Sequence, residues 1–356
     1  MALILNEDEE QFRQSVRRFI AERSPLAKLR ELMSSGQPFD ADAWKQMSEL
    51  GLTGLTISAE HGGAEAGYSV LSVALSELGA GLVASPLLAG TLAAGTLTRL
   101  GDRAAQDRLL PRIAGGELIA TLAAGGTGTA RADGDVLTGE FTPVLNAAQA
   151  DVLLIPADAG GRTQLFEIAA GTPGLEVTAL PALDHSRSLA RVALNGAAGT
   201  RLDGDAAAAL GFAADLANLA IASEQVGGMA ACVAMTTEYA KIRAAFGQPI
   251  GAFQGVKHRL AELHATWELA HAALRDAARA ADERPADFAR AASVARIAVS
   301  ASYVDAAVAT IQLHGGIGFT WEHDAHLYHK NAMSQHALFG GEAEQLDRLT
   351  ALLAAG

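Results

Sequence analysis

Two stretches decide how this chain is read: Tyr239–His258, YAKIRAAFGQPIGAFQGVKH, and Gln312–Lys330, QLHGGIGFTWEHDAHLYHK. Each lies where a helical pattern breaks. Before the first runs LANLAIASEQVGGMAACVAMTTEYAKIR, a long Ala-rich segment; the Gly and Pro of FGQPIG interrupt it, and HRLAELHATWELAHAALRDAARAADE resumes the pattern. Segments of this length suit an antiparallel helical bundle. Taken singly, Arg243 is a surface salt-bridging residue on a helix end, and Gly315-Gly316 a tight turn between helices.

Working outward, the texture changes twice. Residues 118–204 read as a small β domain, with short β-branched or apolar runs such as DVLTGEF, ADVLLIPA, TQLFEIA and ARVALNG between Gly, Asp and Pro turns. Residues 1–117 return to helical periodicity in EEQFRQSVRRFIAERS, FDADAWKQMSELGL, SVLSVALSELGAGL and AAQDRLLPRIAGGE. The expected fold class is therefore α+β: an N-terminal helical domain (1–117), a central small β domain (118–204) and a C-terminal antiparallel bundle of four helices (205–356).

Composition narrows the function classes. The chain has 356 residues, 50% hydrophobic and 19% charged, enough for two or three packed units. With 27 Lys+Arg against 40 Asp+Glu the net charge is −13, which argues against nucleic-acid binding through a basic face. The single cysteine, Cys232, excludes an internal disulfide and fits a reduced cytoplasm. No basic-then-apolar signal segment is seen, and the apolar runs are read as broken by Gly, Pro or charge before the roughly 20 residues that span a bilayer, so no membrane insertion is expected.

The two opening stretches resemble the flavin-contacting signatures of the acyl-CoA dehydrogenase family. Weaker echoes follow in the family's order: LGLTGLTISAEHGGAEAGYSVL, LLPRIAGGELIA and LDHSRSLARVAL. The resemblance covers nearly the whole chain and implies the helical, β, helical domain order, FAD as cofactor and an acyl-CoA thioester as substrate. In the family's reaction a glutamate removes the α proton while hydride passes from the β carbon to flavin N5, so the base must lie within reach of one carbon.

Against that pattern this chain has losses and survivals. Where relatives carry Tyr-Glu-Gly-Thr it has Phe339-Gly340-Gly341-Glu342, so Gly340 occupies the base position; Ala217 occupies the family's alternative one. Glu342 and Glu344, a little further on, are weak candidates for a displaced base. The loop that reads Leu-Thr-Glu-Pro-Gly-Ala-Gly-Ser-Asp in relatives matches Leu122–Ala130, with Ala123 in place of a ring-contacting hydroxyl. The Trp-Ile-Thr-Asn stretch matches Pro143-Val144-Leu145-Asn146, and Leu145 can neither donate to nor accept from N5. By contrast Arg243, Phe246, Gln254, Gln312, Gly315 and Gly316 match the groups that hold the ADP half of FAD across a dimer interface. An Arg fork suits pyrophosphate, and paired glycines let backbone N–H groups approach it. His314, His323, His326, His329 and His336 lack a complement typical of a metal centre, and no metal is expected. Glu60-His61-Gly62-Gly63 is read as a turn between helices.

The resemblance thus implies a degenerate subunit of a heteromeric acyl-CoA dehydrogenase, expected as an α2β2 heterotetramer with a homologous catalytic subunit that supplies the base and binds most of the acyl-CoA. Such mixed assemblies occur in bacterial steroid side-chain degradation, which suggests a sterol-like or branched acyl group. Two alternatives remain open at this point: a self-sufficient flavoenzyme of altered chemistry, such as a monooxygenase or nitroalkane-oxidising relative, and a structural homo-oligomer without cofactor.

Overall fold

A computed structural model describes residues 4–355. Six helices form the first layer: α1 (Glu7–Arg23), α2 (Leu26–Ser35), α3 (Ala41–Glu49), α4 (Gly67–Ala80), α5 (Leu87–Leu100) and α6 (Arg103–Ala114). The Asn6 side chain accepts from Glu9 N while the Glu9 carboxylate accepts from Asn6 N, a reciprocal cap that starts α1. Helices α2 and α5 are absent from the sequence expectation. Nearly all of α5 is buried, so it is apolar on every side and shows no amphipathic stripe by which to recognise it.

Eight strands follow: β1 (Ala120–Leu122), β2 (Thr127–Asp133), β3 (Val136–Leu145), β4 (Val152–Asp158), β5 (Thr163–Ala169), β6 (Leu175–Leu180), β7 (Leu189–Ala198) and β8 (Thr200–Leu202). They form one sheet in the order β6-β7-β3-β2-β4-β5-β8, with β1 pairing parallel to β4. The four runs read as strands from the sequence overlap β3, β4, β5 and β7, two of them starting one or two residues early. The others are too short or too exposed for an alternating pattern to declare them; β6, for example, has no fully buried residue.

The chain then enters α7 (Ala206–Ile242), a minimal hairpin of β9 (Ala244–Ala245) and β10 (Gln248–Pro249), α8 (Gln254–Glu283), α9 (Phe288–His314), α10 (Ala325–Ala337) and α11 (Glu342–Ala355). Helix α7, 37 residues long, is the central pillar, packed on α4 and α5 from the N-terminal layer and on α8 and α9 of the bundle. Its crossing with α4 depends on two facing glycines. A Cβ on Gly227 would stand 1.7 Å from Ser76 O, and one on Gly79 would stand 2.2 Å from Glu224 O, so the backbones meet at a distance no side chain allows.

Two spans, Ala206–Ile242 and Phe288–Phe319, are apolar and long enough to cross a membrane by length and composition. The sequence reading that every such run is broken was therefore too strict. The apolar residues of α7 and α9 face the bundle core, where Leu219, Met229, Cys232, Val299 and Tyr303 are buried together. Burial pushes the Cys232 thiol up to about 12, so it stays protonated and unreactive.

Candidate functional site

At one end of the bundle the two opening stretches meet. Tyr239, in the last turn of α7, stacks on His314, the last residue of α9, with ring centroids 4.3 Å apart, and its hydroxyl donates to His314 O at 3.3 Å. His314 is buried. Its Nδ1–H donates to Thr310 O at 2.7 Å, and burial lowers its pKa, so the ring is neutral. His323 closes against it at 4.4 Å. This joint places the end of α7 beside the turn at Gly315.

Beyond the joint, Arg243 caps α7 and is exposed; among the described residues it forms no ion pair, so the salt-bridge reading of its role is not what the structure has. Its carbonyl accepts from Ile250 N at 2.7 Å, which folds β9 onto β10. The two residues between them, Phe246 at φ +51° and Gly247 at φ +80°, have the positive dihedrals of a tight hairpin turn, and Phe246 is 96% exposed. Phe253 meets Phe246 edge-on at 6.2 Å, and Gln254 starts α8 with its side chain exposed. Gln312 is exposed near the end of α9. Gly315 has φ +65° and ψ −142°, and a Cβ on either Gly315 or Gly316 would meet nothing within 4 Å. The six expected ADP-binding residues thus all lie on the two segments that the Tyr239–His314 stack joins. They offer a cation without a partner, amides and open backbone, the donor set a pyrophosphate requires.

The positions matching the base and the flavin ring look different. Ala217 is fully buried and packs in one apolar cluster with Leu145 and Leu338, against which Leu189 and Phe339 are partly buried. Phe339 (φ +58°) and Gly340 (φ +94°) form the turn between α10 and α11. The Phe339 ring lies on the glycine loop that precedes β2: a Cβ on Gly125 would stand 1.9 Å from Phe339 Cδ1. Groups that the sequence did not single out hold this turn. Arg296 on α9, 1% exposed, donates through Nη2 to Gln335 O (2.7 Å) and Leu338 O (2.9 Å), and through Nη1 to Ser300 Oγ and to Gln225 Oε1 (3.2 Å). Among the described residues it forms no ion pair, and burial lowers its pKa to about 10. Gln345 Nε2 donates to Phe339 O at 2.9 Å.

Beside this turn is a cavity of about 490 Å³ between the sheet, α7 and α11. Ala123, Gly125, Phe339 and Glu344 line it. Glu342, the nearer candidate base in sequence, does not; it is exposed at the start of α11. Asn218, one residue after Ala217, donates to Gln345 Oε1 at 3.0 Å, and both line the cavity together with Arg348. A second polar network, also unread in the sequence, lies beneath. Arg187 pairs with Glu224 with both buried, Gln335 Nε2 donates to Glu224 at 2.9 Å, and Asn331 bridges Asp184 to the Tyr303 hydroxyl. LDHSR in the sequence carries two of these groups, but nothing local marks them as buried.

For the FAD that the resemblance implies, the two halves of the molecule meet opposite conditions. The open, cationic turn at Arg243 and Gly315 fits a pyrophosphate. At the positions matching the isoalloxazine contacts, Leu145 and Ala123 are buried hydrocarbon, and the Phe339 ring lies on Gly125, so the side chains present do not fit the ring half. Among the described residues no group of three His, Cys, Asp or Glu could hold a metal ion. His326 packs against Trp321, and His61 of the Glu60–Gly63 turn is buried between Ser58 and Asp107.

Comparison with known proteins agrees with this architecture. Residues 6–117 match the family model for the acyl-CoA dehydrogenase N-terminal domain, and residues 208–353 that for its C-terminal domain. Acyl-CoA dehydrogenase IpdE2 of Mycobacterium tuberculosis is 34% identical over 344 residues, 96% of each chain. Acyl-CoA dehydrogenase FadE34 of the same organism is also 34% identical, over 93% of this chain and 45% of its own length. Among solved structures, the ChsE4-ChsE5 complex from M. tuberculosis superposes with a TM-score of 0.92 at 29% identity over the full length of both chains. The Tcur3481-Tcur3483 steroid ACAD G363A variant gives 0.90 at 28% identity, over 98% of each.

Proposed function

The chain belongs to the acyl-CoA dehydrogenase family, and from that premise we propose that it is the non-catalytic member of a heteromeric, FAD-dependent acyl-CoA dehydrogenase. It completes the ADP half of an FAD whose ring and base belong to a homologous partner, in an α2β2 assembly. One observation carries the proposal. Arg243, with its open glycine turn, is exposed without a partner, while Leu145, Ala217 and Phe339 pack where relatives hold the flavin ring and base. FAD, bound with its ring in the partner, would accept the hydride from the acyl β carbon.

This chain's residues then bind and orient. Arg243 neutralises pyrophosphate charge, Gln254 and Gln312 donate and accept at the edge of the nucleotide, and Gly315-Gly316 bring backbone N–H groups to the anion. The Tyr239–His314 stack fixes the spacing of the two segments. Gly340 and Ala217 leave both of the family's base positions without a basic group and Glu342 lies outside the cavity; Glu344 is the one candidate carboxylate in its wall, and it is exposed on α11. A bulky substrate, sterol-like or branched, is supported by the steroid ACAD among the similar structures; a reduced cytoplasm suits the single buried thiol. The test is to purify the chain alone and with a homologous acyl-CoA dehydrogenase encoded beside it, and to record visible spectra and FAD content. A colourless single chain and a yellow complex with one FAD per unlike pair are expected. Tightly bound stoichiometric FAD in the chain alone would favour a self-sufficient flavoenzyme, and a colourless homo-oligomer indifferent to the partner would favour a structural role.

A further inference from the structure

The cavity between the sheet, α7 and α11 has a chemistry of its own. Hydrocarbon makes up most of its wall, with Leu122, Phe141, Leu210, Ala213 and Phe339 among the lining residues. Its volume, about 490 Å³, lies in the range of small-molecule sites, roughly 300–1,000 Å³. We propose that it binds an uncharged, mainly hydrocarbon alcohol whose hydroxyl donates to Asn218 Oδ1. Because no flavin ring enters this chain in the function proposed above, on which this rests, the space beside Ala123 and Gly125 is free for such a ligand.

A relay of two amides determines which atom meets the ligand. Gln345 Nε2 is committed to Phe339 O at 2.9 Å, so Gln345 turns its Oε1 to Asn218. Asn218 Nδ2 donates to that oxygen at 3.0 Å, and reversing either amide would set oxygen against oxygen. Asn218 Oδ1 is left without a donor among the described residues, yet it is not sealed off. Asn218 is 2% exposed and lines the cavity, so the surface this oxygen keeps lies on the cavity. A lone acceptor set in an apolar wall selects a ligand that carries a donor. A hydroxyl takes over the hydration of Oδ1, whereas a ketone displaces water without reproducing its hydrogen bond. The charged groups in the wall do not call for an ionic ligand. Arg348 is paired with Asp215, and the exposed Glu344 carboxylate repels anions.

Calorimetric titration of the full, FAD-free chain with menthol, and with menthone as the matched ketone, tests the site. The alcohol is expected to bind saturably at one site and the ketone about tenfold more weakly. Asn218→Leu, close in volume, should bring the two ligands to equal affinity. Ala214→Leu fills the cavity from a half-buried position on α7 outside the amide relay, and should weaken both ligands at least about tenfold while a thermal melt shows a folded chain. This second variant keeps the test decisive if Asn218→Leu does not fold. No saturable heat with menthol, a ketone bound as tightly as the alcohol, a preference for the alcohol that survives in folded Asn218→Leu, or unchanged binding by Ala214→Leu would each overturn the proposal. Any of these leaves the shared-cofactor reading standing, since the titrated chain carries no FAD and no partner. A chain that purifies yellow when expressed alone would overturn both together.

Discussion

In the role proposed for it Arg243 acts through one guanidinium group, so it gives the sharpest test at the residue scale. In a complex rebuilt with the unaltered partner, Arg243→Ala should lose about 1.5–3 kcal/mol of FAD affinity, roughly one to two orders of magnitude in dissociation constant. Arg243→Lys should recover only part, since an ammonium cannot reproduce the planar fork. FAD release is followed by fluorescence, with a thermal melt as control; because Arg243 is exposed and without an ion pair, the melt should not move. The converse substitution, Gly340→Glu, should create no acyl-CoA-dependent dye reduction in the chain alone, because a base is useless without a placed acceptor. Dye reduction by that single variant would show that the ring site is open after all. What could be read in the sequence follows the same division. Arg243 and Gln312 could be singled out because the work proposed for them depends on residue type and on position in a contiguous motif. Arg296 and the Arg187–Glu224 pair were missed because their meaning lies in partners far along the chain, brought together only by the packing of α7, α9 and α10.

At the scale of elements, the decisive contact is between two turns: the glycine loop before β2 and the turn joining α10 to α11. Gly125 has φ +81°, and a Cβ there would overlap the Phe339 ring. Gly125→Ala should therefore be destabilising on two counts, left-handed backbone strain of about 1 kcal/mol and the clash. Phe339→Ala removes the clash and leaves the strain. In a double-mutant cycle by urea denaturation, the pair should then cost less than the sum of the singles, with a coupling of about 0.5–3 kcal/mol. Strict additivity would mean that the two turns do not touch in solution and that the cavity beside them is wider than described. Periodicity revealed the amphipathic helices α1, α3, α4 and α6 but not α5, whose buried surface runs all the way round, nor the β9–β10 hairpin, whose strands of two residues are too short for any period.

For the whole molecule, the question is what covers the exposed apolar residues at the Arg243 end. Ile242 is 79% exposed, Phe246 96% and Phe319 80%, all within the two stretches that carry the family signatures. Water is an unfavourable neighbour for such side chains, and a single chain has nothing further to lay over them. Phe246 gives the cleanest test because its own fold needs it least. Its one aromatic contact is Phe253, and its φ of +51° is a conformation that Asn adopts more readily than Phe. Phe246→Asn should therefore leave the melting temperature of the isolated chain unchanged or slightly raised. If the partner subunit and its nucleotide cover this turn, the same substitution removes a buried aromatic anchor from the assembly. A loss of about 2 kcal/mol, some thirtyfold in the dissociation constant of the heteromer, is then expected. Sedimentation of the mixed subunits reads association, and retained FAD reads the completed site; both should fall together while the melt of the isolated chain stays put. Unchanged association and unchanged FAD retention in the Phe246→Asn complex would place the partner on another face and separate the open glycine turn from any shared cofactor.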